Sequence, residues 1–196
     1  MMADGRRIRL LALLLPVGVA AVALLAWTQP WVTLELADGR TIVAAGDAAA
    51  PAVPPFALAG LALVGALTLA GLVFRIILGL LQSLLGAGLI ASGVLAISDP
   101  VAASLGPLTA ATGVDGLDSV RALVESSSVS AWPWVAMVAG AAGIVIGVAI
   151  ALTASRWPRR TRRFDAVTFA SGTADSRTDR LDAWDALSDG DDPTAR

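Results

Sequence analysis

Phe56 to Ile97 reads FALAGLALVGALTLAGLVF-R-IILGLLQSLLGAGLIASGVLAI, a run in which Arg75 is the sole charged residue. As one straight helix it would extend about 63 Å, twice the roughly 30 Å of a bilayer's hydrocarbon core. It therefore reads as two spans, 56–74 and 76–97, folded back on each other. Arg75 stands at the turn, where its long side chain reaches lipid headgroups and pins the topology.

Working outward, two further uncharged stretches flank this pair: Leu10 to Leu34 and Ser126 to Ser155. Each holds a span, at about 8–27 and 132–153, so residues 1–155 read as one four-span membrane domain. The mean hydropathy of +0.74 lies outside the soluble range. Four spans leave only short loops and a tail, with no room for a second globular domain. The expected fold is an all-α membrane protein with four transmembrane helices, a small extracytoplasmic β-hairpin and a short cytoplasmic tail helix.

Arginine decides the orientation. Arg6, Arg7 and Arg9 precede the first span, Arg75 divides the middle pair, and Arg156, Arg159, Arg160, Arg162 and Arg163 follow the last. Arg177, Arg180 and Arg196 lie further along the tail, and only Arg40 and Arg121 fall on the other side. The positive-inside rule then puts both termini in the cytoplasm of a multi-pass cell-membrane protein. A basic start before an apolar run is also the pattern of a secretory signal peptide. The 8–27 region is longer than a usual signal core, however, and no small-x-small cleavage site precedes Trp27, so an uncleaved anchor fits better.

Composition removes whole classes of chemistry. Cysteine and histidine are both absent, which takes away thiolate nucleophiles, the commonest transition-metal ligands and the side chain best suited to proton transfer near neutral pH. No ionisable residue interrupts a span except Arg75 at its turn, whereas proton relays and transport paths normally leave such residues behind. No catalytic, cofactor-binding or metal-binding residue is assigned. The outer carboxylates Glu35, Asp38 and Asp47 are general-acid candidates without an evident pocket. Gln82 and Ser83 are the most polar interior residues, and Gln82 reads first as an interhelical hydrogen bond and second as a small polar site.

Small residues recur at helical spacing: Ala62, Ala66 and Ala70; Gly79, Ser83, Ala87 and Ala91; Ala139, Gly143 and Gly147. Such stripes let backbones approach closely, within one chain or between two copies.

On the outer side, Trp31 to Val43 alternates β-forming residues around Asp38-Gly39, the signature of a hairpin over 31–45. Pro51, Pro54 and Pro55 then open the second span. The outer loop 98–131 begins with Asp99-Pro100, a sound helix start, and carries Asp115, Asp118, Arg121 and Glu125 in one or two short surface helices. Trp27, Trp31, Trp132 and Trp134 sit where an outer aromatic belt belongs, and Trp157 on the cytoplasmic side.

The tail, 156–196, begins basic and turns acidic. Its arginine cluster, Arg156, Arg159, Arg160, Arg162 and Arg163, suits anionic inner-leaflet lipid, by roughly 1 kcal/mol per basic residue. Membrane anchoring is reason enough for that cluster, so nucleic acid is not an expected partner. A largely flexible linker follows. Leu181, Trp184 and Leu187 then share one face of a short helix, with Asp179 as its cap and Gly190 as its terminator. A helix so short docks on something, here membrane lipid or a cytoplasmic protein partner. Asp185 to Gly190 lacks a calcium loop's ligands, since Leu187 takes one of their places.

The ending Trp184-Asp185-Ala186-Leu187-Ser188-Asp189-Gly190-Asp191-Asp192-Pro193-Thr194 resembles the closing motif of an actinobacterial family, the tryptophan-associated transmembrane proteins. The exit of the first span from Trp27 to Leu36, the Pro51 to Pro55 entry and the four-span plan are similar too, so the resemblance covers nearly the whole chain. Asp189 departs from the pattern, since family members carry Arg or a similar residue there, and it makes this tail more acidic. The resemblance implies a cytoplasmic-membrane protein encoded near tryptophan-biosynthesis genes, and it assigns no activity. The expected function is a non-enzymatic membrane protein whose tail docks a cytoplasmic partner, linked to tryptophan metabolism. The alternative is a small-molecule permease or accessory subunit that handles an aromatic metabolite near Gln82. Membrane lipid, a tail-bound protein and a second copy of the chain are the partners expected.

Overall fold

A computed structural model describes residues 2–156, with side chains from residue 10 to residue 155. Four long helices carry the fold: α1 (Met2–Trp27), α3 (Val53–Leu69), α4 (Leu72–Ser98) and α8 (Trp132–Thr153). Between α1 and α3 come strands β1 (Pro30–Leu36) and β2 (Thr41–Ala45) and the short helix α2 (Gly46–Ala49). Between α4 and α8 come α5 (Pro100–Ala103), α6 (Leu105–Thr112), α7 (Leu117–Arg121) and strand β3 (Val124–Val129). A 3-10 turn, Ala154–Arg156, closes the described chain.

The long helices form a ring. Helices α1 and α4 each pack on both α3 and α8, and α4 with α8 is the most intimate pair. Three of the four, over Leu10–Trp27, Leu72–Ser98 and Trp132–Thr153, are long and apolar enough to cross a membrane. Helix α3 is equally apolar but has 17 residues. The ring's outer surface carries exposed Leu69, Phe74, Leu84, Leu95, Val138, Val145 and Leu152. So continuous an apolar girdle is foreign to a water-soluble surface and suits hydrocarbon, where each helix satisfies its own backbone.

The break between α3 and α4 differs from the expected position. It lies at Ala70 and Gly71, both extended (ψ 135° and 179°), four residues ahead of Arg75. Leu72, Val73 and Phe74, expected to end the second span, instead begin α4, which reaches 27 residues. Glycine is the poorest helix former after proline, so the pair Ala70-Gly71 is where the chain leaves the helix most cheaply. Arg75 thus occupies the first turn of α4, and its N–H donates to the Gly71 carbonyl.

The small-residue stripes also fall differently. Ala62, Ala66, Ala87 and Ala91 face outward, whereas the close contact of α4 with α8 runs through Gly79, Gly86 and Gly93 on one side and Gly140 and Gly147 on the other. A Cβ on Gly79 would stand 2.6 Å from the Gly147 oxygen. Ser83 bridges the seam, donating to Gly79 O at 3.1 Å within its helix and lying 3.2 Å from Ile144 O across it. The operative period is seven residues, because two helices in near-parallel contact meet every second turn.

At one end of the ring sits a three-stranded antiparallel sheet, ordered β2-β1-β3, in place of the expected two-stranded hairpin. The Asp38-Gly39 turn joins β1 to β2, with Gly39 at φ 82°. Strand β3 pairs along β1 from Val32↔Val129 to Leu36↔Val124. Two strands alone are marginal in water, and the third supplies the missing partner for β1. Val32, Leu34 and Leu36 are buried in one continuous cluster with Val101, Leu108 and Val120 from the loop helices and Ala23, Ala26 and Ala136 from α1 and α8. A second, smaller cluster of Ala12, Leu67 and Ile150 closes the opposite end.

Trp31 belongs to this core and not to an aromatic belt. A register shift between Pro30 and Val32 turns it inward beside Val32, and it is fully buried. Such a bulge re-aims a side chain against the strand's alternation. Its Nε1 donates to Ala26 O at 2.7 Å, an oxygen that also accepts from Gln29 N at 3.1 Å. The indole therefore caps the C-terminal carbonyls that α1 leaves unpaired. Gly46 closes over the same corner, since a Cβ there would lie 2.8 Å from Trp27 Cα and 2.9 Å from Trp31 Nε1.

Candidate functional site

The centre of the ring holds one amide. Gln82, on the inward face of α4, is 4% exposed, and its Oε1 is buried without a hydrogen-bond partner. Gly60 of α3 lies against the oxygen, where a Cβ would stand 3.6 Å away; a Cβ on Gly143 of α8 would stand 3.5 Å from Nε2. Val19 of α1 meets the same position of Gly143 at 3.6 Å, so all four helices converge here. An interhelical hydrogen bond, the first expectation for Gln82, is not what Oε1 makes. Chemically the arrangement offers a neutral acceptor in an apolar shell.

The sheet end is built differently, from charges near water. Asp99 caps α5 by accepting from Ala102 N at 3.0 Å and pairs with Arg121 Nη2 at 2.5 Å, which ties the start of the loop to α7. Arg40 pairs with Asp38 at 2.7 Å and donates to Ala111 O at 3.0 Å, tying the hairpin tip to α6. The Ala102 N–H first, and the Arg121 guanidinium after it, hold the Asp99 carboxyl below its ordinary value. The Arg40 N–H and then its side chain do the same for Asp38. Ser126 Oγ donates to Glu35 Oε2 at 3.0 Å across β1 and β3. These groups are spoken for by structure: each fastens one loop to another. Asp47 lies in the first turn of α2 and accepts from the neighbouring Ala48 N at 2.8 Å. Among the described residues, no three His, Cys, Asp or Glu side chains gather as a metal site would require.

A family model described as tryptophan-associated transmembrane protein matches residues 12–194. The chain belongs to the tryptophan-associated transmembrane protein family. No curated protein and no solved structure matches it. The family description names no reaction, and the match runs through the membrane bundle to Thr194, where the resemblance was first visible.

Within this tryptophan-associated protein the expected site residues are scattered. Arg75 is half-buried in the first turn of α4. Arg156 ends the last turn, and its side chain lies outside the described residues. Arg159, Arg160, Arg162, Arg163, Leu181, Trp184 and Leu187 also lie outside them, as does Trp157. What sequence reading missed is the company Gln82 keeps. Gly60 is unremarked among nineteen glycines and Gly143 was read only as part of a packing stripe, and the available signal was positional: neither belongs to the seven-residue series that joins α4 to α8.

Proposed function

We propose that this protein is a four-span anchor of the cell membrane with both termini in the cytoplasm, which presents its tail to a cytoplasmic partner connected with tryptophan metabolism. The observation that carries the reading is the glycine seam between α4 and α8. Backbone meets backbone there at Gly79–Gly147 and Gly86–Gly140, as in a fixed body and unlike a pair of elements that part to pass a solute. Twelve of the fourteen arginines lie on the proposed cytoplasmic side, and α3 crosses as the second span despite its 17 residues, helped by the extended Ala70-Gly71 link. In the tail, Leu181, Trp184 and Leu187 form the docking face, and the five arginines that follow α8 hold the tail's root to anionic lipid.

The test uses the full-length protein in its own membrane. Deletion of the gene slows growth without tryptophan, and a Trp184→Ala, Leu187→Ala double variant reproduces that defect while reaching the membrane at normal abundance. Normal growth of the double variant would remove the docking face from the account. Uptake of labelled tryptophan or indole, equal with and without the protein, separates an anchor from a permease.

A further inference from the structure

Apart from Gly18 and Gly65, which meet nothing within 4 Å, and Gly88, where a Cβ would press on the Phe56 ring at 2.8 Å, the glycines inside the long helices divide into two groups. At Gly79, Gly86, Gly93, Gly140 and Gly147 a Cβ would collide with the facing helix, with carbonyl oxygens or side chains well inside contact distance. Close approach explains those residues fully. At Gly60 and Gly143 the nearest atoms stand at 3.5–3.6 Å, ordinary van der Waals separation, so an alanine would fit. The facing helices do not demand glycine at either position.

Both of these positions abut the Gln82 amide, and its Oε1, on a residue 4% exposed, has no donor. Inside hydrocarbon no solvent compensates an unpaired acceptor. Three independent facts therefore meet at one point: a buried acceptor aimed at α3, a methyl-sized gap beside its oxygen, and another beside its nitrogen. We propose that Gln82, Gly60 and Gly143 form an intramembrane binding site for a small neutral molecule that donates a single N–H or O–H to Gln82 Oε1.

The chemistry of the surroundings sets the class. Among the residues whose side chains are described, α1, α3, α4 and α8 carry one charge, Arg75, seven positions before Gln82, so the site suits an uncharged ligand. Glycine on both flanks admits the thin edge of a planar donor more readily than a branched group. The short helix α3, which ends in the extended Ala70-Gly71 pair, is the wall that yields on entry. This site goes beyond the anchor reading and stands without it.

Glutamine occurs only at positions 29 and 82, and the chain has no asparagine. A spectrum of side-chain amides in the purified full-length protein, labelled with 13C and 15N and held in detergent micelles, therefore contains two NH2 pairs. Indole is the probe, and benzofuran is its control, of the same shape but without the N–H. Indole shifts the Gln82 side-chain carbonyl and amide signals saturably, leaves Gln29 unmoved, and benzofuran does neither. Gly60→Ala and Gly143→Ala keep the unliganded spectrum folded and weaken the response about tenfold or more. Equal movement of both glutamines, equal response to benzofuran, or a water cross-peak at Gln82 that persists with no response to indole would overturn the proposal. The last outcome would assign the gap to a resident water.

Discussion

Gly86 and Gly140 face each other across the α4–α8 seam so closely that a Cβ on either would come within 2.5–2.6 Å of the other's carbonyl oxygen. Neither neighbour is a side-chain end that can swing away; both are backbone. Gly86→Val is therefore expected to lower stability by about 1–3 kcal/mol or more, read as a lower unfolding midpoint of the purified protein in detergent. Gly18→Ala, where nothing lies within 4 Å, should leave the midpoint unchanged. An unaltered midpoint for Gly86→Val would mean that the seam is looser than this contact.

Trp31 offers a second test, because its indole both fills the sheet corner and caps α1. Trp31→Phe removes the donor to Ala26 O but leaves Gln29 N in place, for a loss of about 1 kcal/mol. Trp31→Ala also opens a cavity, for about 3–5 kcal/mol. Trp134, 56% exposed, should tolerate phenylalanine within about 0.5 kcal/mol. Thermal unfolding orders the three.

Acid should loosen the sheet end before the ring. Asp38 and Asp99 both have folded values below the ordinary 3.8. Groups depressed on folding stabilise fully above that value and lose their contribution as pH falls below it through the folded value. Amide protection in residues 99–121, corrected for the intrinsic pH dependence of exchange, is thus flat from neutral pH down to about 5 and falls below 3.8. Asp99→Asn, which keeps an acceptor for Ala102 N but loses the charge facing Arg121, should abolish most of that acid step for α5 and α7. A step of unchanged size would detach it from this carboxyl.

Topology reporters discriminate four crossings from three. A reporter after Gly39 is expected outside the cell, one after Gly71 inside, one after Gly113 outside and one at the C-terminus inside. If the reporter after Gly71 were exported, helix Val53–Leu69 would not cross.

Much of this architecture was legible because the bilayer imposes it. Apolar runs without charge leave no alternative to helix in lipid, and Asp38-Gly39 accepts the positive φ that its turn adopts. Strand β3 was not legible. Val124-Glu125-Ser126-Ser127-Ser128-Val129 has low strand propensity and no alternation, and it is a strand because β1 has a free edge beside it. Trp31 misled for a related reason, since a bulge inverted the face its position promised. The turn at Ala70-Gly71 was masked by the only charge in the neighbourhood, Arg75, which lies inside α4 and does not mark where the helix ends. At Gln82 the sequence displayed the amide; the glycines that leave it without a donor became visible only when helices far apart in the chain met.

Strand β1 is the middle of the sheet, yet its second neighbour is made only after residues 37–123 have emerged from the ribosome. The corner around Trp31 must therefore wait, half covered, while α3 and α4 are made. A chain stopped before residue 124 would leave β1 with one bare edge, whose unpaired N–H and C=O groups are open to a strand from elsewhere.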